Sequence, residues 1–205
     1  NKGIWVAKKR YMLNLYDEEG IRYTDPKLKV MGVEAVKSST PEVCRGKIKE
    51  AISVIMNKGQ EDLIKFVADF KKEFLQMTPE QVAFPRSCNN VLKYTDTSNV
   101  YKKGTPIHVK GALIYNHFLK RNKLTHKYPL IQEGDKIKFL MLRLPNTFKD
   151  QVIAFSSILP REFDIQKYVD YETQFQKTFT DPLKFILDSI GWSLEKEASL
   201  EEFFG

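Results

Sequence analysis

From Thr97 to Gln132 the chain holds no acidic residue, yet it carries Lys102, Lys103, Lys110, Lys120, Arg121, Lys123 and Lys127. Scattered lysines on a solvated surface are the bland reading of a basic stretch. A run this long without a carboxylate is better explained by a polyanion, most simply nucleic acid. The imbalance reaches further: residues 1–150 hold 28 Lys and Arg against 16 Asp and Glu, whereas residues 151–205 hold 5 against 10.

Other reactive residues do not assemble into a catalyst. His108, His117 and His126 are spaced nine apart, and nine residues turn a helix through about 900°, which sets His108 and His117 on opposite sides. They cannot share a metal as helix neighbours, and no Cys or acid adjoins them to complete a site. Packing or phosphate contact is the reading preferred for them. Tyr94-Thr95-Asp96-Thr97-Ser98 has the outline of a paired-aspartate motif, but two-metal phosphoryl transfer needs a second carboxylate where Ser98 stands. Asp96 is read as a loop residue. The sequence has no P-loop, nucleophile elbow or zinc-protease helix. Cys44 and Cys88 lack CxxC spacing and read as free buried thiols of a reducing compartment.

The C-terminal residues Ala198-Ser199-Leu200-Glu201-Glu202-Phe203-Phe204-Gly205 carry a different signal. A helical turn would place Leu200, Phe203 and Phe204 on one face. Either they dock back on the body or another protein receives them.

The elements that position these groups follow from periodicity. Alternation from Val6 to Tyr16 predicts one strand with Lys9, Tyr11, Leu13 and Leu15 on one face and Lys8, Arg10, Met12 and Asn14 on the other. Asp17-Glu18-Glu19-Gly20 predicts a hairpin turn, Ile21–Tyr23 the return, and Leu28–Met31 a further strand after Pro26. Thr40 reads as an N-cap with Pro41 at the first helical position. Cys44, Ile48, Ala51, Ile52 and Ile55 form that helix's apolar stripe. After Asn57-Lys58-Gly59 a second, antiparallel helix carries Leu63, Phe66, Val67, Phe70 and Phe74. Beyond Pro79 the pattern predicts a strand at Val82–Phe84, a short helix at Asn89–Lys93 and a polar loop to Gly104. A helix over Pro106–Arg121 follows, then a hairpin-like strand pair within Ile131–Leu144, a strand at Val152–Phe155, and helix over 166–190 interrupted at Asp181-Pro182.

Val6-Ala7-Lys8-Lys9-Arg10-Tyr11, with Leu13-Asn14 and the turn at Gly20, resembles the palm-edge segment of family B DNA polymerases of T-even-type bacteriophages. The likeness continues in order through Arg22-Tyr23, Pro26-Lys27-Leu28-Lys29-Val30-Met31-Gly32 and Lys37-Ser38-Ser39-Thr40-Pro41. Ile107-His108-Val109-Lys110-Gly111 with Tyr115-Asn116 resembles a thumb segment. Lys177-Thr178-Phe179, Pro182-Leu183 and Ala198-Ser199-Leu200 complete it. The resemblance implies that Lys9 and Tyr11 reach the minor groove near the primer terminus, where a Lys donor checks pair geometry rather than sequence. It implies that Lys8, Lys37, Ser38, Ser39 and Lys110 hold duplex phosphates, helped by the helix N-terminus at Thr40. Gly111 would allow close approach, either to DNA or within the fold. For the tail, the resemblance implies a peptide whose Leu200, Phe203 and Phe204 anchor in a sliding-clamp pocket.

The expected fold is therefore α+β: palm-edge strands at 1–32, a mainly helical thumb with a small β subdomain at 33–196, and a clamp-binding tail at 197–205. The expected function is the DNA-gripping part of a replicative nucleotidyltransferase in the bacterial host cytoplasm. Its partners would be primer-template DNA, the remaining polymerase and the sliding clamp, and no membrane, since no apolar run approaches about 20 residues. The start at Asn1 without Met or a secretory signal suggests a piece of a longer polypeptide. The family's catalytic aspartates, and the Mg2+ they bind, are expected upstream; no cofactor is expected in this chain. The alternative is a stand-alone nucleic-acid-binding replication accessory protein, distinguished by what is encoded upstream of Asn1.

Overall fold

The computed structural model describes residues 2–194. In chain order these are β1 (Lys2–Ala7), β2 (Arg10–Glu18), β3 (Ile21–Met31), a 3-10 turn (Glu34–Val36), α1 (Glu42–Asn57), α2 (Gln60–Phe74), α3 (Pro79–Val82), β4 (Phe84–Ser87), α4 (Val91–Tyr94), β5 (Thr95–Asp96), β6 (Val100–Tyr101), α5 (Ile107–Arg121), β7 (Lys136–Met141), β8 (Val152–Phe155), α6 (Tyr171–Phe175), a π turn (Gln176–Thr180) and α7 (Asp181–Asp188). The chain divides into two compact units. The first comprises residues 1–37, 44–73 and 179–205, the second 38–43 and 74–178. The result is a mixed α+β fold with small antiparallel sheets, as the sequence implied.

In the first unit β1, β2 and β3 form an antiparallel sheet in that order. Here the structure corrects the sequence reading: Val6–Tyr16 is not one strand. Ala7 pairs with Arg10, Lys9 takes a φ of 63°, and the chain reverses through Lys8-Lys9. No Gly, Asn or Asp marks that turn. A left-handed lysine costs roughly 1–2 kcal/mol, and its setting comes from Gly32, where a Cβ would stand 2.1 Å from the Lys9 carbonyl oxygen. The expected Asp17–Gly20 turn is present, with positive φ at Glu19 and Gly20. β3 then runs unbroken through Pro26 instead of splitting in two. It is an edge strand, and the register jumps from Leu15↔Lys27 to Asp17↔Arg22, so a residue without N–H is tolerated there.

Met12, Asn14 and Leu15 are the buried residues of β2, while Leu13 is half-buried. The bulge after Leu15 breaks strict alternation. The α1 stripe is buried as its spacing dictates, with the helix starting one residue later than expected, at Glu42. On α2, Leu63, Phe70 and Phe74 are buried and Phe66 and Val67 half-buried. Lys47 near the start of α1 pairs with Glu73 near the end of α2 at 3.3 Å and lies over the Phe66 and Phe70 rings, which fixes the antiparallel arrangement. Lys2 donates to the Met56 carbonyl at the C-terminal end of α1.

The second unit is built on an antiparallel sheet ordered β4-β7-β8. Val82 closes a helical turn, stapled where Gln81 Oε1 accepts from Thr78 N at 2.9 Å, so the expected strand at Val82–Phe84 gives way to one at Phe84–Ser87. β7 pairs with that distant strand, Phe84 opposite Phe139, instead of with a neighbour inside Ile131–Leu144. Their stacked rings, 5.0 Å apart, supply a contact that local periodicity cannot reveal. The helix at α5 and the strand at β8 appear where expected, and the short helix at Val91–Tyr94. The stretch 166–190 is more broken than expected: a 3-10 turn precedes α6, and a π turn leads into α7, whose Pro182 occupies the first turn, where no N–H is missed.

Candidate nucleic-acid interface

The first cluster of expected site residues lies on the β1–β2 hairpin. Lys8 and Lys9 are exposed at its turn, and neither has an acidic partner among the described residues. Tyr11 is half-buried on β2, and its ring lies 4.9 Å from that of Trp5 across the strand pair. Because Lys9 occupies a left-handed turn, it does not share a strand face with Tyr11; what joins them is the end of one hairpin. Lys37 is drawn to the same element through Glu34, which it contacts at 2.6 Å while Arg10 approaches the same oxygen at 3.5 Å. Two cations thus share one carboxylate, leaving a net positive charge.

Ser38 and Ser39 fall in the second unit. Ser38 is exposed and Ser39 half-buried, and the Ser39 carbonyl accepts from Arg86 Nη1 at 2.8 Å. Thr40 and Pro41 are buried before α1, whose first turn already contains a carboxylate, Glu42.

Lys110 and Gly111 sit together on α5, but both face protein. Lys110 Nζ lies 2.8 Å from Asp150 Oδ1 and over the Tyr101 ring at 4.7 Å, while Tyr101 donates to Asp150 Oδ2 at 2.6 Å. Burial alone would lower the Lys110 pKa, yet its hydrogen bonds with Asp150 and Tyr101 outweigh that and raise it. The Tyr101 hydroxyl is likewise pushed up, by burial first and then by Asp150. A Cβ at Gly111 would stand 2.9 Å from the backbone nitrogen of Ala154, so of the two uses open to this glycine the fold takes the internal one: it lets α5 lie on β8.

The acid-free stretch is similarly drawn on by acids from elsewhere. Glu162 contacts Lys127 and accepts from Tyr128 at 2.8 Å. These bonds, Lys127 first, hold its carboxyl down at about 2. Lys102 donates to the Lys93 carbonyl. Lys103, Lys120 and Lys123 have no ion-pair partner among the described residues. His108 packs beside Phe139, and burial, then the nearby Arg86 charge, depresses its pKa. His117 contacts Phe118, and His126 Nδ1 lies 2.9 Å from the Lys123 carbonyl. Asp96 accepts from the backbone N–H groups of Ser98 and Asn99, a turn role. Cys44 and Cys88 are both buried and are not joined in a disulfide, and burial pushes the Cys88 thiol up to about 11.

Among the described residues no three or more His, Cys, Asp or Glu could hold a metal ion, and no helix is long and apolar enough to cross a membrane. Leu200, Phe203 and Phe204 lie outside the described residues. Sequence reasoning missed Asp150, Tyr101 and Glu162 as partners of the basic stretch, because each comes from outside the local run or through a side chain with no motif. It also missed Trp5, whose exposure depends on which sheet face is covered.

No family model matches the chain. Over 207 aligned positions it is 36% identical to a DNA-directed DNA polymerase of Enterobacteria phage T4, covering 99% of its own length. It is 38% identical to a DNA-directed DNA polymerase of Escherichia phage RB69, over 98% of its length. The chain spans 22% of the length of each relative. It is therefore homologous, along nearly all of its sequence, to a stretch of the phage polymerases that it resembles.

Proposed function

We propose that this chain is the DNA-gripping part of a replicative DNA polymerase, with its palm edge at residues 1–32, its thumb at 33–196 and a clamp-binding tail at 197–205. The observation that carries this reading is the 36% and 38% identity to phage DNA polymerases across nearly the whole chain. The unpaired Lys8 and Lys9 on the hairpin turn support it, because phosphate is the natural partner for exposed cations that the fold leaves unneutralised. In this reading Lys9 and Tyr11 meet the minor groove near the primer end, and Lys8, Lys37, Ser38 and Ser39 contact the backbone. Lys110 and Gly111 contribute by setting α5, through Asp150 and Ala154, instead of by touching phosphate. Catalytic carboxylates and their Mg2+ belong to other segments of the polymerase, so the chain alone binds primer-template and does not extend it.

Titration of a fluorescent primer-template at several salt concentrations tests the reading. Log K should fall by about 0.9 per phosphate contact for each tenfold rise in salt, and absence of binding at low salt would defeat it. Lys9→Ala should harm extension by the complete enzyme more than duplex affinity; equal losses would argue against a primer-end role. Deleting Ser199–Gly205 should leave duplex binding intact and abolish clamp-dependent processivity.

A further inference from the structure

The face of the three-stranded sheet that carries Trp5 holds unusual aromatic surface. Register sets Trp5 opposite Tyr11 and Tyr11 opposite Met31, and laterally paired residues share a face. Trp5 is 68% exposed and Met31 46%. The Trp5 ring leans on Tyr11 at a 41° tilt, so one side of the indole is supported from within the sheet. In the neighbouring row Leu13 lies over Gly3, where a Cβ would meet its Cδ2 at 2.3 Å. Lys9 precedes Tyr11 by two residues, at the turn that leads into β2, and Lys8 stands beside it there.

Two kinds of occupant would cover such a shelf: an apolar protein segment, or nucleic acid. The lysines decide between them. An apolar segment leaves Lys8 and Lys9 without counter-charges, whereas a nucleotide brings a phosphate for the lysines and a π face for the rings. Inside a duplex each base face is covered by its stacked neighbours, so only an unpaired base has a face to offer. We propose that Trp5, backed by Tyr11, is a stacking platform for an unpaired nucleotide whose phosphates are held by Lys8 and Lys9. The hairpin thereby takes single-stranded DNA in addition to duplex. This rests on the nucleic-acid-binding reading above.

The test uses the full 205-residue chain carrying Trp192→Phe, so that Trp5 is its one remaining tryptophan. Two probes are titrated: a short oligothymidylate, and a covalently closed circular duplex, which presents no open base face. The oligothymidylate should quench Trp5 emission. Trp5→Ala should bind it roughly 5- to 150-fold more weakly, the range of one lost base stack, while duplex affinity changes little. Trp5→Phe should recover most of the loss, and decides the matter together with the quenching if the alanine variant does not fold. Absence of quenching, equal weakening toward both probes, or no recovery with Phe would overturn the platform. Duplex binding without quenching removes the platform alone and points to a protein segment as the occupant; failure of both DNAs to bind removes the reading beneath it.

Discussion

The second unit holds 16 Lys and Arg against 10 Asp and Glu, the first 17 against 16. Judged by bulk charge, the second would be the nucleic-acid surface and the first nearly inert. Residue by residue the contrast changes. In the second unit Lys110 is committed to Asp150 and Lys127 to Glu162. In the first, Lys8 and Lys9 stand exposed at a turn, without acidic partners among the described residues and beside an aromatic pair. Net charge sets the long-range field, but a site needs cations that the fold has left free. The acid-free run along the sequence was a one-dimensional fact: folding brings carboxylates from positions 150 and 162 onto Lys110 and Lys127, and leaves Lys103, Lys120 and Lys123 without an ion-pair partner among the described residues.

If this contrast is right, the largest effects come from breaking the internal locks. Gly32→Ala must place a Cβ against the Lys9 carbonyl at a φ of 69°, and should cost about 2–4 kcal/mol. Duplex affinity should fall with it, since the turn that presents Lys8 and Lys9 is displaced. Denaturant unfolding of Gly32→Ala and salt-dependent titration of the same variant check both halves.

Asp150→Ala leaves the half-buried Lys110 ammonium without its carboxylate and the Tyr101 hydroxyl without its acceptor, and should destabilise by about 1–3 kcal/mol. Asp150→Ala with Lys110→Met should be milder than Asp150→Ala alone, because the uncompensated charge is gone. A double-mutant cycle by urea unfolding measures this, and additivity would show that Lys110 is not a lock.

Lys8→Ala with Lys9→Ala should do the reverse. Stability should change by less than about 0.5 kcal/mol, as for exposed surface substitutions, while the salt slope of duplex binding should fall by about 0.9 for each phosphate that is no longer neutralised. If Lys110→Ala changed the slope as much, the distinction between grip and lock would collapse.

The smallest effect is acid-linked. Glu162 is held at about 2 in the folded chain, below an ordinary value of 4.5. A depressed carboxyl contributes stability that is present above its unfolded pKa and is lost as pH falls toward the folded one. Thermal melts of the native chain and of Glu162→Gln should therefore differ slightly at pH 6 and converge between about pH 4.5 and 2.

Much of the fold was legible. The stripes of α1 and α2 and the span of α5 were visible because a helix buries residues at fixed spacing, and helix-forming contacts are local. What failed was mostly strand pairing. Lys8-Lys9 carries no turn residue, and one of the two partners of β7 lies at Phe84–Ser87, far from it in sequence. The site divided along the same line. Lys8, Lys9, Tyr11 and Lys37 do gather on or around one hairpin, whereas Lys110 and Gly111 were drawn into packing by residues that no local pattern announces.

By itself the sequence determined the helical stripes, the basic character of the middle of the chain and the ordered likeness to phage polymerases. All of these depend on residue identity and near-neighbour spacing. Only the tertiary structure decided which cations remain free, which glycine serves a turn and which a helix–strand contact, and that Trp5 stands on an uncovered face. Ion pairs, close backbone approaches and exposure are set by which distant segments meet, and that information is carried by the packed fold.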